Sequence, residues 1–145
     1  MNISDVIREQ KNLVICRPED TVQTAAVLLH TNFIGALPVV DAAGKLVGIF
    51  GERDIVRAFA ARKPRLEDMR VADLMTVRVV TCTRATSVLE ATALMKRNRI
   101  RHLPVVEDGK LVGIISIRDT LEILRRQAEE HANVMRDISI AARAR

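Results

Sequence analysis

The sequence predicts an α/β fold in which one strand–helix–strand–strand–helix unit is used twice. Three observations carry this. A seven-residue stretch recurs, first as Gly48-Ile49-Phe50-Gly51-Glu52-Arg53-Asp54, then as Gly113-Ile114-Ile115-Ser116-Ile117-Arg118-Asp119. Upstream residues match at a constant offset of 66: Cys16 with Cys82, Val22 with Val88, Asn32 with Asn98, Pro38 with Pro104. The offset falls to 65 after the turn that precedes each stretch, so the second turn is one residue shorter. Finally, each stretch follows apolar, β-branched runs broken by a turn, Ala42-Ala43-Gly44-Lys45 or Glu107-Asp108-Gly109-Lys110, the pattern of a β-hairpin. Two copies of so long a period do not make a solenoid. They are one supersecondary unit duplicated and packed against itself.

The elements follow in order. A helix is expected from about Ile3 to Glu9, with Asn2 or Ser4 as cap, then a strand at Leu13 to Cys16. Pro18-Glu19-Asp20-Thr21 should start a helix whose apolar face is Val22, Ala25, Ala26, Leu28 and Leu29. A hairpin over residues 35–50 and a helix from Glu52 to about Arg62 complete the first copy, and a polar linker runs to Met69. The second copy repeats the order. A short helix lies near Val71 to Met75, a strand at Val79 to Cys82, and a helix from Ser87 to about Arg97. A hairpin over 101–116 and a helix from Ile117 follow, which divides the chain into copies at 1–66 and 67–126 and an extension at 127–145. In both copies the pattern turns helical at the acidic end of the recurring stretch. Asp54 and Asp119 therefore sit in the first turn of a helix that directly follows a strand, where free N–H groups and a positive dipole end are exposed.

Composition narrows the class. A chain of 145 residues, 48% hydrophobic, has enough for a core, and with 2% aromatics that core must be Val, Ile, Leu, Ala and Met. No apolar run approaches a membrane span, and the first residues lack the basic and apolar regions of a signal peptide. Two cysteines at equivalent positions do not form a disulfide framework, and a reducing cytoplasm is expected. The net charge of +5 suits an anionic ligand.

The order of elements, the recurring stretch and the Leu-Pro-Val-Val before it in both copies resemble a tandem pair of cystathionine-β-synthase (CBS) domains, a Bateman module of the small stand-alone bacterial type. The resemblance runs from about Asn2 to Arg126. Gly113 to Asp119 meets the family's Gly-hydrophobic-hydrophobic-Ser/Thr-x-x-Asp pattern in full, while Gly51 replaces the hydroxyl residue in the first copy. The resemblance implies two copies about a pseudo-two-fold axis, two clefts between them, and an adenosine-containing ligand: AMP, ADP, ATP, NADH or S-adenosylmethionine. It implies no catalytic cofactor, a regulatory rather than enzymatic role, and a homodimer with a possible regulated protein partner.

By the same resemblance, Asp119 and Asp54 would accept ribose hydroxyls, a role that suits a carboxylate's several acceptor sites. The main cleft would comprise Val14, Ile34, Gly35 and Ala36 around the base, with Arg101, His102, Ser116 and Arg118 towards the phosphate beside Asp119. A second, weaker cleft would use Val80, Ile100 and Arg101 for the base, with Gly51 and Arg53 beside Asp54. The ranking follows from the lost hydroxyl at Gly51 and the absence of a cation in Gly35-Ala36.

Each residue also has a plainer role open to it. Asp54 and Asp119 would serve as ordinary acids at helix starts. Arg97, Arg99 and Arg101 would form a solvated charge run at a strand edge. His102 would only cap the hairpin. His30, His102 and His131 have no metal-ligand spacing. Cys16 and Cys82 are expected as small core residues, with a redox or enzyme-regulating role as the alternative. A basic nucleic-acid-binding module is the other alternative, opposed by the near absence of aromatic residues for stacking. Beyond Leu121, the apolar positions Leu124, Ala128, Ala132, Met135 and Ile138 at spacings of 3 and 4 predict an amphipathic helix that extends past the repeat. That helix would pack on its own module, seal a homodimer or dock a partner.

Overall fold

Both hairpins form where the β-branched runs flank their turns. In the computed structural model, which describes residues 1–7, 10 and 12–145, β1 (Ala36–Val40) pairs antiparallel with β2 (Leu46–Gly51), and β3 (His102–Glu107) with β4 (Lys110–Ser116). The second turn is the two residues Asp108 and Gly109, both at positive φ, as a tight hairpin requires. The first turn is longer and is held by Asp41 Oδ1, which accepts from the N–H groups of Ala43 and Lys45.

The helices are α1 (Ile3–Ile7), α2 (Val22–Thr31), α3 (Glu52–Ala60), α4 (Val71–Leu74), α5 (Val88–Asn98) and α6 (Ile117–Arg143), with one 3-10 turn at Leu66–Asp68. Arg8 and Glu9, expected to end the first helix, lie outside the described residues. Pro18 does not start α2. Residues 18–20 form a turn closed by the Arg17 N–H to Asp20 Oδ2 at 2.8 Å, and Thr21 caps the helix by accepting from the Thr24 N–H. Ser87 caps α5 in the same way through the Glu90 N–H.

The strands expected at Leu13 to Cys16 and Val79 to Cys82 shrink to one paired residue each. Cys16 bridges Val39 and Cys82 bridges Val105, both parallel. The cause is proline. The Cys16 N–H donates to Pro38 O, and the Val40 N–H to Cys16 O. The next rung of such a ladder would need the N–H of Pro38 for the carbonyl of Val14, and proline has none. Pro104 ends the Cys82 ladder in the same way, beside Val80.

The two cores do not follow the order of the chain. One gathers Val22, Ala25, Leu29, Leu37, Val39 and Phe50 with Val71 from α4. The other gathers Val88, Ala91, Met95, Leu103, Val105 and Ile115 with Ile3 and Ile7 from α1. Each leading helix is thus exchanged into the other copy's core. Matched backbone bonds fix the exchange, Val71 N–H to Asp20 O at 2.8 Å and Ile3 N–H to Thr86 O at 2.8 Å.

The exchange differs in one detail. Thr76 pairs with Ile49 of β2 through two backbone hydrogen bonds, at 3.0 and 2.9 Å. In the other copy the side-chain amide of Gln10 makes the equivalent pair with Ile114, donating to its carbonyl at 2.7 Å and accepting from its N–H at 3.1 Å. Eight residues separate Ile7 from Cys16, but only six separate Met75 from Cys82. A carboxamide carries the same donor and acceptor as a peptide group, so it satisfies the edge of β4.

Candidate functional site

The junction of the two copies encloses a cavity of about 370 Å³ on the Asp54 side. Its inner wall is apolar: Ile49, Val79, Val80 and Ile100. The start of α3, with Gly51, Arg53 and Asp54, lines it too, as do Gly35, Ala36, Arg101 and His102. All six residues expected for the second cleft therefore meet in one cavity. Four of those expected for the main cleft, Gly35, Ala36, Arg101 and His102, line it as well. Val14, Ile34, Ser116, Arg118 and Asp119 do not. Val14 and Ile34 pack at the edge of the first core, as Val80 and Ile100 do at the edge of the second.

The two aspartates are held differently. Asp54 is only 9% exposed, and its Oδ2 accepts from the Gly51 N–H at 2.8 Å. Its Oδ1 lies 3.6 Å from Arg57 Nη1. Burial pushes the Asp54 carboxyl above the usual carboxylate value, against the opposing pull of the Gly51 hydrogen bond and the Arg57 charge. Asp119 is exposed. There the cap bond runs the other way, from the Asp119 N–H to Ser116 Oγ at 3.1 Å. With no hydroxyl at position 51, the aspartate side chain itself caps α3. The hydroxyl is absent for a steric reason: a Cβ on Gly51 would stand 2.7 Å from the Gly35 carbonyl oxygen. Ser116 is thus engaged as a helix cap, and Arg118 is exposed.

His102 reaches across the junction, 3.3 Å from where a Cβ on Gly35 would lie. Burial lowers its pKa; Asp119 and Glu52 pull it up, and Arg101 and Arg53 push it down. It therefore senses charges of both clefts.

Several lining residues were not singled out from the sequence: Ile49, Glu52, Arg57, Thr76, Arg78 and Val79. Arg99, read as part of a solvated run, lines the cavity too. Arg78 and Val79 carried a usable signal, since they immediately precede Val80. Glu52 and Arg57 carried a weaker one, flanking Asp54 on the helix.

Fold and cleft together define a duplicated hairpin-and-helix module with a cavity at the junction of its copies. The chain belongs to the CBS-domain family, whose model matches residues 3–61 and 71–126. It is 35% identical over 138 residues to the mitochondrial CBS domain-containing protein CBSX3 of Arabidopsis thaliana, covering 89% of this chain and 66% of that protein. It is 39% identical over 115 residues to inosine-5'-monophosphate dehydrogenase of Methanocaldococcus jannaschii, covering 77% of this chain but 22% of the enzyme. Among solved structures it resembles the CBS domain pair of protein MJ0100 in complex with 5-methylthioadenosine and S-adenosyl-L-methionine, with TM-score 0.78, 28% identity, and coverage of 88% and 98%. It also resembles CBSX2 in complex with AMP, with TM-score 0.75, 27% identity, and coverage of 88% and 98%. Among the described residues no helix is long and apolar enough to cross a membrane.

Proposed function

We propose that this chain is a non-catalytic sensor module that binds an adenosine-containing ligand in the cleft beside Asp54 and changes its conformation or partner binding in response. The observation that carries the reading is the cavity itself, whose lining combines apolar side chains, the buried Asp54 and five arginines. Small-ligand sites have this mix, at roughly 300–1,000 Å³. The purine lies between Val80 and Ile100. The carbonyl of Val80, left without a ladder partner by Pro104, accepts the purine's exocyclic amine. Asp54 accepts from the ribose, and the arginines face the phosphate. The AMP and S-adenosylmethionine complexes of similar CBS pairs support the ligand class.

In this reading Asp54 belongs to the principal site, whereas the motif alone favours Asp119. The reading assigns Val14, Ile34, Ser116, Arg118 and Asp119 to the opposite cleft as the weaker site. It takes the protein to be a cytoplasmic homodimer, in which the exposed stripe Val134, Met135 and Ile138 of α6 is covered by a second copy. The redox alternative is opposed by the thiols themselves. Cys16 and Cys82 are buried in different cores. Burial, with the charges of Asp20 and Glu90 respectively, pushes their pKa up to about 12 and about 11. Neither is a ready thiolate at neutral pH.

A ligand that binds only the native state raises the melting temperature. Thermal shifts with AMP, ADP, ATP, NADH and S-adenosylmethionine, with GMP and GTP as controls, test the reading. A rise with adenine ligands and not with guanine ones is expected. No rise with any adenine ligand at millimolar concentration refutes it.

A further inference from the structure

The mouth of the Asp54 cleft carries more positive charge than a single phosphate needs. We infer that this cleft selects adenine nucleotides bearing two or more phosphates over AMP, and rejects cationic adenosyl ligands, an inference that rests on the adenosine reading of the same cleft. Five arginines line the cavity, Arg53, Arg57, Arg78, Arg99 and Arg101, against two acidic residues, Glu52 and Asp54. With His102 neutral the surplus is three positive charges. A phosphate monoester carries roughly −1.5 to −2 at pH 7, and each further phosphate in the chain adds an ionised oxygen. The surplus therefore matches a diphosphate or triphosphate chain.

The arginines converge from three separate segments. Arg53 and Arg57 lie on α3, Arg78 follows α4, and Arg99 and Arg101 precede β3. Arg53 Nη1 donates to the Arg99 carbonyl at 3.3 Å, which ties α3 of one copy to the α5–β3 turn of the other. Arg99 is the left-handed cap of α5, at φ 55, so its backbone turns out of the helix at the mouth of the cleft. Among the described residues, only Arg57 of the five has a carboxylate within ion-pair distance, Asp54 at 3.6 Å.

The opposite cleft shows that this is not a generic basic surface. Under the repeat offsets, Arg78 corresponds to Asn12, Arg99 to Phe33, Arg101 to Gly35 and Arg57 to Glu122. Only Arg53 keeps its charge, as Arg118. Arg57, Arg78 and Arg99 thus belong to one cleft alone, while Arg101, whose counterpart Gly35 lines this cavity as well, stands between the two; one of the counterparts, Glu122, is acidic. Guanidinium groups bind phosphate oxygens in a planar fork, and several around one mouth suit a chain of phosphates better than one terminal group. The same surplus repels the sulfonium and ammonium charges of an S-adenosyl ligand.

Isothermal calorimetry with adenosine, AMP, ADP, ATP, S-adenosylmethionine and inorganic tripolyphosphate tests this on the full chain. We expect ADP or ATP to bind at least tenfold more tightly than AMP, with a steeper loss of affinity as salt is raised. S-adenosylmethionine should bind more weakly than AMP. In Arg78→Gln/Arg99→Asn the gain from AMP to ATP should collapse while adenosine affinity stays within about threefold; each single variant should lose part of it. Both side chains are exposed, and an unchanged melting curve verifies folding. AMP binding as tightly as ADP and ATP overturns the inference and leaves the adenosine reading standing. Tripolyphosphate binding as tightly as ATP also overturns it, since the site would then have no nucleoside selectivity. Absence of binding by every adenine compound removes both.

Discussion

Asp54→Asn separates the ligand role of this residue from its structural one. The Asp54 carboxylate has two oxygens: Oδ2 holds the Gly51 N–H at 2.8 Å, and Oδ1 is left for the ribose, with Arg57 3.6 Å away. Asparagine keeps a carbonyl for Gly51 and presents an amide NH2, a donor only, where the free oxygen was. One hydrogen bond to a charged group contributes about 1.5–3 kcal/mol, which converts to a loss of about tenfold to 150-fold in affinity. Asp119→Asn should change the tight site by less than about threefold. Stability should move the other way. Burial holds the native carboxyl above its ordinary value of 3.8, so the native state keeps this proton to higher pH than the unfolded chain does. The wild type therefore loses stability as pH rises from that value through the raised native one, and asparagine does not. The variant should melt at or above the wild type at pH 7, and its advantage should shrink towards zero in acid below 3.8. Calorimetry and thermal melts across pH read both quantities. The reasoning is refuted if Asp119→Asn removes the tight site and Asp54→Asn spares it. It is also refuted if Asp54→Asn melts several degrees lower at pH 7, because Asp54 would then be chiefly a charged cap.

Two further outcomes follow from the same geometry. Gly51→Ser, which restores the motif's hydroxyl, should destabilise the protein rather than improve its site. The new Cβ would stand 2.7 Å from the Gly35 carbonyl, and such overpacking costs about 1–3 kcal/mol; an unchanged melting temperature with tighter AMP binding would show that the strands spread to admit it. Ending the chain at Arg126 removes Val134, Met135, Ile138 and Ile140, all more than half exposed in one copy. Sedimentation at micromolar concentration should show a dimer for the full chain and a weakened dimer or monomer for the truncation, and a monomeric full chain would refute dimerisation.

The sequence alone determined the duplicated unit, both hairpins, and the helix starts that carry Asp54 and Asp119. These features depend on contacts within a few residues. Asp108-Gly109 closes a turn, Thr21 and Ser87 cap their own helices, and β-branched runs alternate along strands whatever else the chain does. Even the absent Gly51 hydroxyl was visible as a departure from the pattern. Its meaning was not, because the carbonyl that forbids a Cβ there belongs to Gly35, across the hairpin edge. Only the tertiary structure decided that α1 and α4 trade cores, since Ile3 and Val71 are equally apolar wherever they pack. It also showed that the parallel ladders stop at Cys16 and Cys82, because that outcome depends on which strand residue faces the missing N–H of Pro38 or Pro104. Arg99 reads as surface charge in the sequence for the same reason, and Arg78 is not singled out at all. A local pattern reports whether a side chain is polar. Which cleft it faces is set by packing between copies some 66 residues apart, where no short-range rule applies.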